Sequence, residues 1–84
     1  MYEIVLSDKA KRQLNKLDKS VQERIGAFIE RIKVRPFSYD LKKLQGTPYY
    51  RTRVGEYRLI LNIFGEKLII LVIEIGHRKN VYKN

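Results

Sequence analysis

The sequence predicts an α+β fold, in which one strand and two helices precede three antiparallel strands. Three observations predict it: an alternating apolar pattern at the start, helical apolar spacing over residues 10–32, and glycine-led turns between β-rich runs after residue 48. Strands joined by tight turns pair in one sheet, so the helices should pack on one face of it. A chain of 84 residues is enough for one modest core, and we expect a single domain over residues 1–84.

The first strand and the first helix are predicted from residues 2–17. Residues 2–6 alternate apolar Tyr2, Ile4 and Leu6 with other side chains, as a strand with one buried face does. Ser7 follows at a position where its hydroxyl can cap a helix. The apolar positions of that helix recur at intervals of four and three residues: Ala10, Leu14 and Leu17.

A second helix is the clearest helical pattern in the chain. Ser20 and Glu23 have the spacing of a capping box at its start, and Pro36 forbids its continuation. Between them lies one apolar stripe, formed by Val21, Ile25, Phe28, Ile29 and Ile32. Residues 36–48 contain both prolines and a glycine without a sustained period, which predicts a loop.

Two linked hairpins are predicted for the rest of the chain. Gly55–Glu56 and Gly65–Glu66 each place glycine first in a two-residue type II′ turn. The second turn would pair Arg58 with Ile73. Residues 68–75, LIILVIEI, are largely apolar at both odd and even positions. A strand with this pattern would be apolar on both faces, which predicts a central strand.

The stretch YYRTRVGEYR raises the question of why three arginines lie so close together. With Gly55–Glu56 as the turn, Arg53 pairs with Arg58, and Arg51 shares their face of the sheet, away from the helices. Like charges directly opposite destabilise a hairpin, and an anion bound between them reverses that effect. A phosphate site is one interpretation. A solvated face on which arginine stems cover apolar neighbours such as Ile60 is the other.

The C-terminal segment GHRKNVYKN would bring His77, Arg78 and Tyr82 toward this arginine face. An imidazole, a guanidinium and a phenol are groups that phosphodiester chemistry uses. RNA is cleaved without metal when its 2′-hydroxyl loses a proton, the phosphate is stabilised by fixed cations, and the 5′-oxygen leaves. A surface histidine and a tyrosine packed on the sheet edge are the simpler alternatives.

Charge and composition favour a polyanionic partner. Eighteen Lys and Arg against nine Asp and Glu give a formal charge of +9, which suits nucleic acid, although a merely well-solvated surface would look similar. Without cysteine there is no disulfide framework, and the acidic residues form no ligand-like cluster, so we expect no metal and no cofactor. No apolar stretch could span a membrane and no signal peptide is present, so we expect a cytoplasmic protein.

The segments LKKLQGTPYYRTRVGEYRLIL and VIEIGHRKNVY resemble the RelE/ParE superfamily of toxin–antitoxin toxins, and more closely its RelE branch. The resemblance covers nearly the whole chain and implies a compact sheet with two N-terminal helices. It also implies a type II toxin that acts as a ribosome-dependent, metal-independent endoribonuclease. Such an mRNA interferase cleaves mRNA in the ribosomal A site and so inhibits translation. A cognate small antitoxin would bind and inhibit it, in complexes that form higher hetero-oligomers.

The resemblance also implies roles for individual residues. Arg51 and Arg53 match basic residues along the first strand of the hairpin. Arg58 matches the arginine of the family's Tyr-Arg pair and would stabilise charge on the scissile phosphate, and Arg78 matches a C-terminal arginine with a similar role. Tyr82 matches the terminal tyrosine that stacks on a base or orients the nucleophile.

Departures from the family pattern leave the proton-transfer groups open. A lysine that serves as base in some members is replaced here, with Tyr49 near its position, so His77, Tyr82 and Tyr49 are all candidates. Lys42 and Lys43 would grip ribosomal RNA, because flexible ammonium groups suit contact with a phosphate backbone. Two other functions remain: a ParE-like toxin that poisons DNA gyrase, and a non-catalytic RNA-binding module.

Overall fold

The computed structural model describes residues 1–38 and 40–77 and confirms the α+β class, with both helices on one face of a mixed sheet. No helix in these two ranges is long and apolar enough to cross a bilayer. The elements are β1 (Glu3–Leu6), α1 (Asp8–Asn15), α2 (Lys19–Ile32), a 3-10 turn (Pro36–Ser38), β2 (Lys42–Lys43), β3 (Tyr49–Val54), β4 (Tyr57–Phe64) and β5 (Ile69–His77).

The sheet has five strands in the order β1-β5-β4-β3-β2, with β1 parallel to β5 and the other neighbours antiparallel. The prediction of four strands was wrong by one. The additional strand, β2, is only two residues long and lies within the segment that was predicted to be a loop. So short a strand has no sequence period of its own, and its pairing with β3 defines it.

Helix α1 lies along the edge of β5 where β1 ends. The predicted cap is confirmed: the Ser7 hydroxyl accepts a hydrogen bond from the Ala10 N–H at 3.0 Å. The same hydroxyl donates to the Ile73 carbonyl at 2.7 Å. Farther along, the Ile75 N–H donates to Gln13 Oε1 at 2.7 Å. The side chains of Ser7 and Gln13 therefore form hydrogen bonds with backbone groups of β5 that have no neighbouring strand as a partner.

Helix α2 supplies most of the helical part of the core. It begins at Lys19 with Asp18 at the N-cap, so the predicted capping box at Ser20 was wrong, and Ser20 lies in the first turn instead. The predicted apolar stripe is confirmed, because four of its five members are buried and Val21 packs against them. The core cluster consists of Ala10, Ile25, Phe28, Ile29, Ile32, Leu59, Leu61, Ile70, Val72 and Ile75.

The hairpin of β3 and β4 has the predicted turn and register. Gly55 has a φ of +61°, and Glu56 does not have a positive φ, which agrees with a type II′ turn. Val54 pairs with Tyr57, and Arg53 pairs with Arg58. The position of every side chain on these two strands follows from that turn.

The hairpin of β4 and β5 differs from the prediction. Phe64 pairs with Ile69, so the connection has four residues rather than two, and Leu68 rather than Gly65 adopts a positive φ, +54°. A bulge at Ile73 adds one more residue to β5, because Leu61 pairs with Val72 while Ile60 pairs with Glu74. Arg58 consequently pairs with Gly76, three residues beyond the predicted partner.

Candidate phosphate-binding site

The two faces of the sheet have different surroundings. Leu59, Leu61 and Ile75 point toward the helices and belong to the core. The residues that alternate with these along the strands point away from the helices, and we call that side of the sheet the open face. Ile60 lies on the open face, is fully buried and is not part of the core cluster. Its cross-strand partners are Arg51 and Glu74, whose long side chains can cover it.

Four cationic residues come together at one end of the open face. Arg53 pairs directly with Arg58, and Lys42 pairs directly with Arg51. Alternation along β3 puts Arg51 and Arg53 on the same face, so the two pairs are neighbours. We call this group, Lys42, Arg51, Arg53 and Arg58, the cationic end. The predicted convergence of the three arginines is confirmed, and β2 adds the lysine.

Both cross-strand pairs of the cationic end join like charges. Directly opposed side chains have Cβ atoms about 4.5–5.5 Å apart, and a like-charge pair at that distance destabilises a sheet by some tenths of a kcal/mol to about one. None of the salt bridges between described residues involves Lys42, Arg51 or Arg53. A bound anion between these side chains would offset the repulsion within each pair.

The cationic end lines a surface cavity of about 480 Å³. Its lining residues are Asp40, Lys42, Arg51, Thr52, Arg53 and Arg58. Arg53 is exposed, and Arg51 and Arg58 are half-buried. A guanidinium offers a planar set of donors that matches phosphate oxygens, and Lys42 adds a mobile point charge. The cavity can thus hold a phosphodiester with several cations around it.

His77 does not lie on the open face, which corrects the prediction that the C-terminal segment brings it among the arginines. It pairs directly with Tyr57 at the end of β5 and shares the face of that residue. The two rings meet edge to face at a centroid distance of 5.7 Å, and His77 Nε2 lies 3.9 Å from Glu56 Oε1. The longer connection and the bulge moved the register by three residues, an odd number, and an odd shift changes the face.

The other predicted binding residues are divided between the faces. Tyr49 pairs with Asn62 and lies on the open face, in line with Arg51. Lys43 pairs with Tyr50 on the helix side, with its Nζ 5.5 Å from the centroid of the Tyr50 ring. Lys42 and Lys43 therefore point in opposite directions.

Arg78 and Tyr82 lie outside the described residues, so their predicted roles stay predictions. Asp40, in contrast, lines the cavity and was not singled out from the sequence. It stands two residues before Lys42, in a segment without periodicity, and only the pairing of β2 with β3 brings it to the cationic end.

Beyond the cationic end, the open face changes character. Glu74 pairs with Ile60 on β5 and lies 3.4 Å from Lys9 Nζ, so this carboxylate is partly neutralised by α1. Toward the other end of the sheet, the face is apolar, with exposed Val5 and Phe64 beside Ile69 and Leu71. On the open face, the strands β2, β3 and β4 therefore hold the cluster of cationic side chains, while Lys67 lies among the apolar residues at the other end.

Comparison with known proteins agrees with this architecture. The sequence profile of the ParE toxin of type II toxin–antitoxin system, parDE, matches residues 4–82. Toxin RelE3 of Methanocaldococcus jannaschii is 33% identical over 67 residues, which are 74% of this chain and 74% of that protein. RelE1, a toxin candidate of the same organism, is 26% identical over 87 residues, covering 99% of this chain and 97% of its own length.

A solved structure extends the similarity to three dimensions. The RelB–RelE antitoxin–toxin complex from Methanococcus jannaschii contains a chain that superposes with a TM-score of 0.74 at 27% identity, covering 93% of this chain and 94% of that one. The matched profile spans nearly all of the sequence, and the fold agrees with that of the toxin structure. The chain therefore belongs to the RelE/ParE superfamily of type II toxin–antitoxin toxins.

Proposed function

We propose that this toxin is an endoribonuclease of the RelE type, which cleaves mRNA in the ribosomal A site without a metal ion. The observation that carries the proposal is the two cross-strand pairs of like charge at the cationic end, Lys42 with Arg51 and Arg53 with Arg58. They surround one cavity on an open sheet face. Repulsion of this kind is removed when a phosphate with several acceptor oxygens binds between the side chains.

In this proposal, Arg58 stabilises the negative charge that develops on the phosphate, because it is half-buried and its alignment is fixed by pairing on both sides. Arg51 and Arg53 hold neighbouring oxygens of the RNA backbone, and Lys42 contacts phosphate farther along. Arg78 and Tyr82 contribute as the family resemblance implies. Tyr49, on the same face as Arg51, is available to stack on a base.

Dependence on the ribosome follows from the composition of the site. Cations bind any RNA, whereas proton-transfer groups are scarce among the described residues of the cavity. Cleavage at such a site is faster when another molecule holds the substrate in the reactive geometry, since positioning alone can lower the activation barrier by several kcal/mol. The ribosome, which fixes the codon in the A site, would supply that positioning.

An antitoxin partner belongs to the same proposal. The M. jannaschii toxin of similar fold was solved with RelB bound, and this chain has a formal charge of +9. We propose that a small acidic antitoxin covers the cationic end and blocks RNA, with fast association that weakens as salt rises. Higher hetero-oligomers of toxin and antitoxin are part of this proposal.

A second candidate function is poisoning of DNA gyrase. The matching profile carries the ParE name, and a toxin of that type would use the cationic end for protein contact rather than for chemistry. The two functions differ in what they leave intact, because a gyrase poison blocks supercoiling and a ribonuclease degrades message.

The test uses the purified toxin in three assays: message on translating ribosomes, the same message as naked RNA, and supercoiling by gyrase. We expect cleavage on ribosomes, little cleavage of naked RNA and normal supercoiling. Loss of supercoiling with intact message would select the ParE-like function. Binding to RNA or ribosomes without cleavage in any assay would select the non-catalytic module.

A further inference from the structure

The cationic end explains charge stabilisation but leaves the removal of the 2′-hydroxyl proton without a residue. His77 lies on the other face of the sheet. Among the described residues that line the cavity, only Asp40 has a carboxylate, the kind of group that can act as a general base. The other titratable lining residues are Lys42 and the three arginines, which are donors and carry positive charge.

We propose that the Asp40 carboxylate is the general base that takes the proton from the 2′-hydroxyl of the RNA. The proposal rests on the ribonuclease function proposed above and adds a residue to it. Asp40 is exposed, so an RNA strand at the cationic end can reach it. It forms no salt bridge within 4.0 Å to any residue in the ranges 1–38 and 40–77, which leaves its oxygens available to substrate.

Two other groups on the open face fit the role less well. Glu74 is also a carboxylate, but it does not line the cavity, its side chain is only 19% exposed, and it lies 3.4 Å from Lys9 Nζ. Tyr49 lies on the open face, but a phenol must first lose its own proton before it can accept another. A carboxylate accepts a proton directly and needs no such activation.

The position of Asp40 is tied to the strands that carry the cations. It stands two residues before Lys42, whose pairing with Arg51 fixes the start of β2 against β3. The carboxylate therefore lines the same cavity as the cations, where it would lie near the ribose of a nucleotide whose phosphate they bind. The cations around it also offset the repulsion between its charge and that of the phosphate.

An Asp40 oxygen takes the 2′-hydroxyl proton, the 2′-oxygen forms a bond to phosphorus, and the bond from phosphorus to the 5′-oxygen breaks. The 5′-oxygen takes a proton from water, and the resulting hydroxide later accepts the proton held by Asp40. The products are a 2′,3′-cyclic phosphate and a 5′-hydroxyl. Arg58 and its neighbours hold the charge on the phosphoryl oxygens throughout.

A carboxylate among cations can also serve only to moderate their charge, and the two roles predict opposite results. If Asp40 only reduces the net positive charge of the site, Asp40→Asn increases the affinity for RNA and leaves the rate of the chemical step unchanged or higher. If Asp40 is the base, Asp40→Asn removes the proton acceptor, and the rate falls even when binding is tighter. General-base catalysis typically contributes about 10²- to 10⁴-fold to a rate.

The experiment measures single-turnover cleavage of message on ribosomes saturated with toxin, for the wild type, Asp40→Asn, Asp40→Glu and Glu74→Gln. We expect Asp40→Asn to lower the rate by about 10²- to 10⁴-fold, Asp40→Glu to recover part of it, and Glu74→Gln to remain near the wild type. Glu74→Gln removes the same charge from the same face but outside the cavity. It therefore controls for a general electrostatic effect.

A pH series gives a readout that a structural role would not change. Without its base, the variant must use hydroxide, so the residual rate of Asp40→Asn should rise about tenfold per pH unit near neutral pH, while the wild type changes little. Asp40→Asn cleaving at the wild-type rate on saturated ribosomes would overturn the assignment of Asp40. A wild type that leaves message intact would refute the proposed function itself, and this inference with it.

Discussion

Residues that are adjacent in the sequence lie on opposite faces of the sheet, in an apolar environment on one face and a cationic one on the other. Leu59 is fully buried against the helices, whereas its neighbour Arg58 opposes another arginine on the open face. Burying a side chain such as leucine contributes about 1.5–3 kcal/mol, and each like-charge pair costs at most about one. The helix face therefore stabilises the sheet by more than the cationic end destabilises it. Stability and function should accordingly separate between neighbouring positions.

The largest difference between the faces is expected at Arg58. Arg58→Ala should reduce single-turnover cleavage of ribosome-bound message by about 10²- to 10³-fold, because a preorganised donor to the developing charge is lost. Ribosome affinity and the free energy of unfolding should change little. Quenched-flow cleavage on saturated ribosomes measures the effect. A near-normal rate would mean that Arg58 only binds.

The matched substitution on the helix face is Leu59→Ala. It removes a fully buried side chain from the core and should lower the free energy of unfolding by about 2–5 kcal/mol. The rate per folded molecule at saturation should stay near that of the wild type, because Leu59 does not reach the cavity. Urea denaturation measures the stability. A variant as stable as the wild type would show that the two faces are not separated as described.

A smaller difference is expected between the two turn glycines. Gly55 has a φ of +61°, which strains a residue with a Cβ, so Gly55→Ala should cost about 1–3 kcal/mol of stability, while the flexible Arg24 side chain beside it can move away. Gly65 does not have a positive φ, and its nearest contact for a Cβ is the Tyr2 hydroxyl at 4.0 Å. Gly65→Ala should therefore change stability by less than about 0.5 kcal/mol. Thermal unfolding of both variants checks the contrast, which equal losses would contradict.

The smallest expected effect concerns the two lysines of β2. Lys42 shares the face of Arg51, and Lys43 lies near the Tyr50 ring on the other side. Lys42→Ala should weaken ribosome binding and lower the salt dependence of affinity by about one unit, with the chemical step unchanged. Lys43→Ala should leave that slope nearly unaltered. Titrations over a range of salt concentrations measure both, and a larger loss at Lys43 would place the RNA on the other face.

The parts of the fold that the sequence predicts are those with a local cause. Ser7 caps α1, and the stripe of α2 is buried. The Gly55–Glu56 turn sets the register that places Arg51, Arg53 and Arg58 together. In each case a short stretch of side chains determines the geometry, because a cap, a helical period or a two-residue turn needs no distant partner.

The turn and register of the second hairpin, β4 with β5, could not be predicted from its own sequence. Gly65–Glu66 has the composition of a tight turn, but Leu68 takes the left-handed conformation, and the bulge at Ile73 lies where α1 contacts β5. The Ser7 hydroxyl, which caps the first helix, donates a hydrogen bond to the Ile73 carbonyl at this bulge, and no pattern within the last strand indicates that contact. The faces of His77 and Lys43 and the presence of Asp40 in the cavity follow from such long-range pairing.

The most direct test of the cationic end as a reaction site for RNA removes one atom of the substrate, the 2′-oxygen. Two messages are placed on ribosomes with the wild-type toxin, identical except that one carries a 2′-deoxyribose at the cleaved nucleotide. We expect rapid cleavage of the unmodified message to a 2′,3′-cyclic phosphate, and undetectable cleavage of the modified message at that bond despite equal toxin binding. Equal cleavage of both messages, or cleavage of neither, would contradict the account.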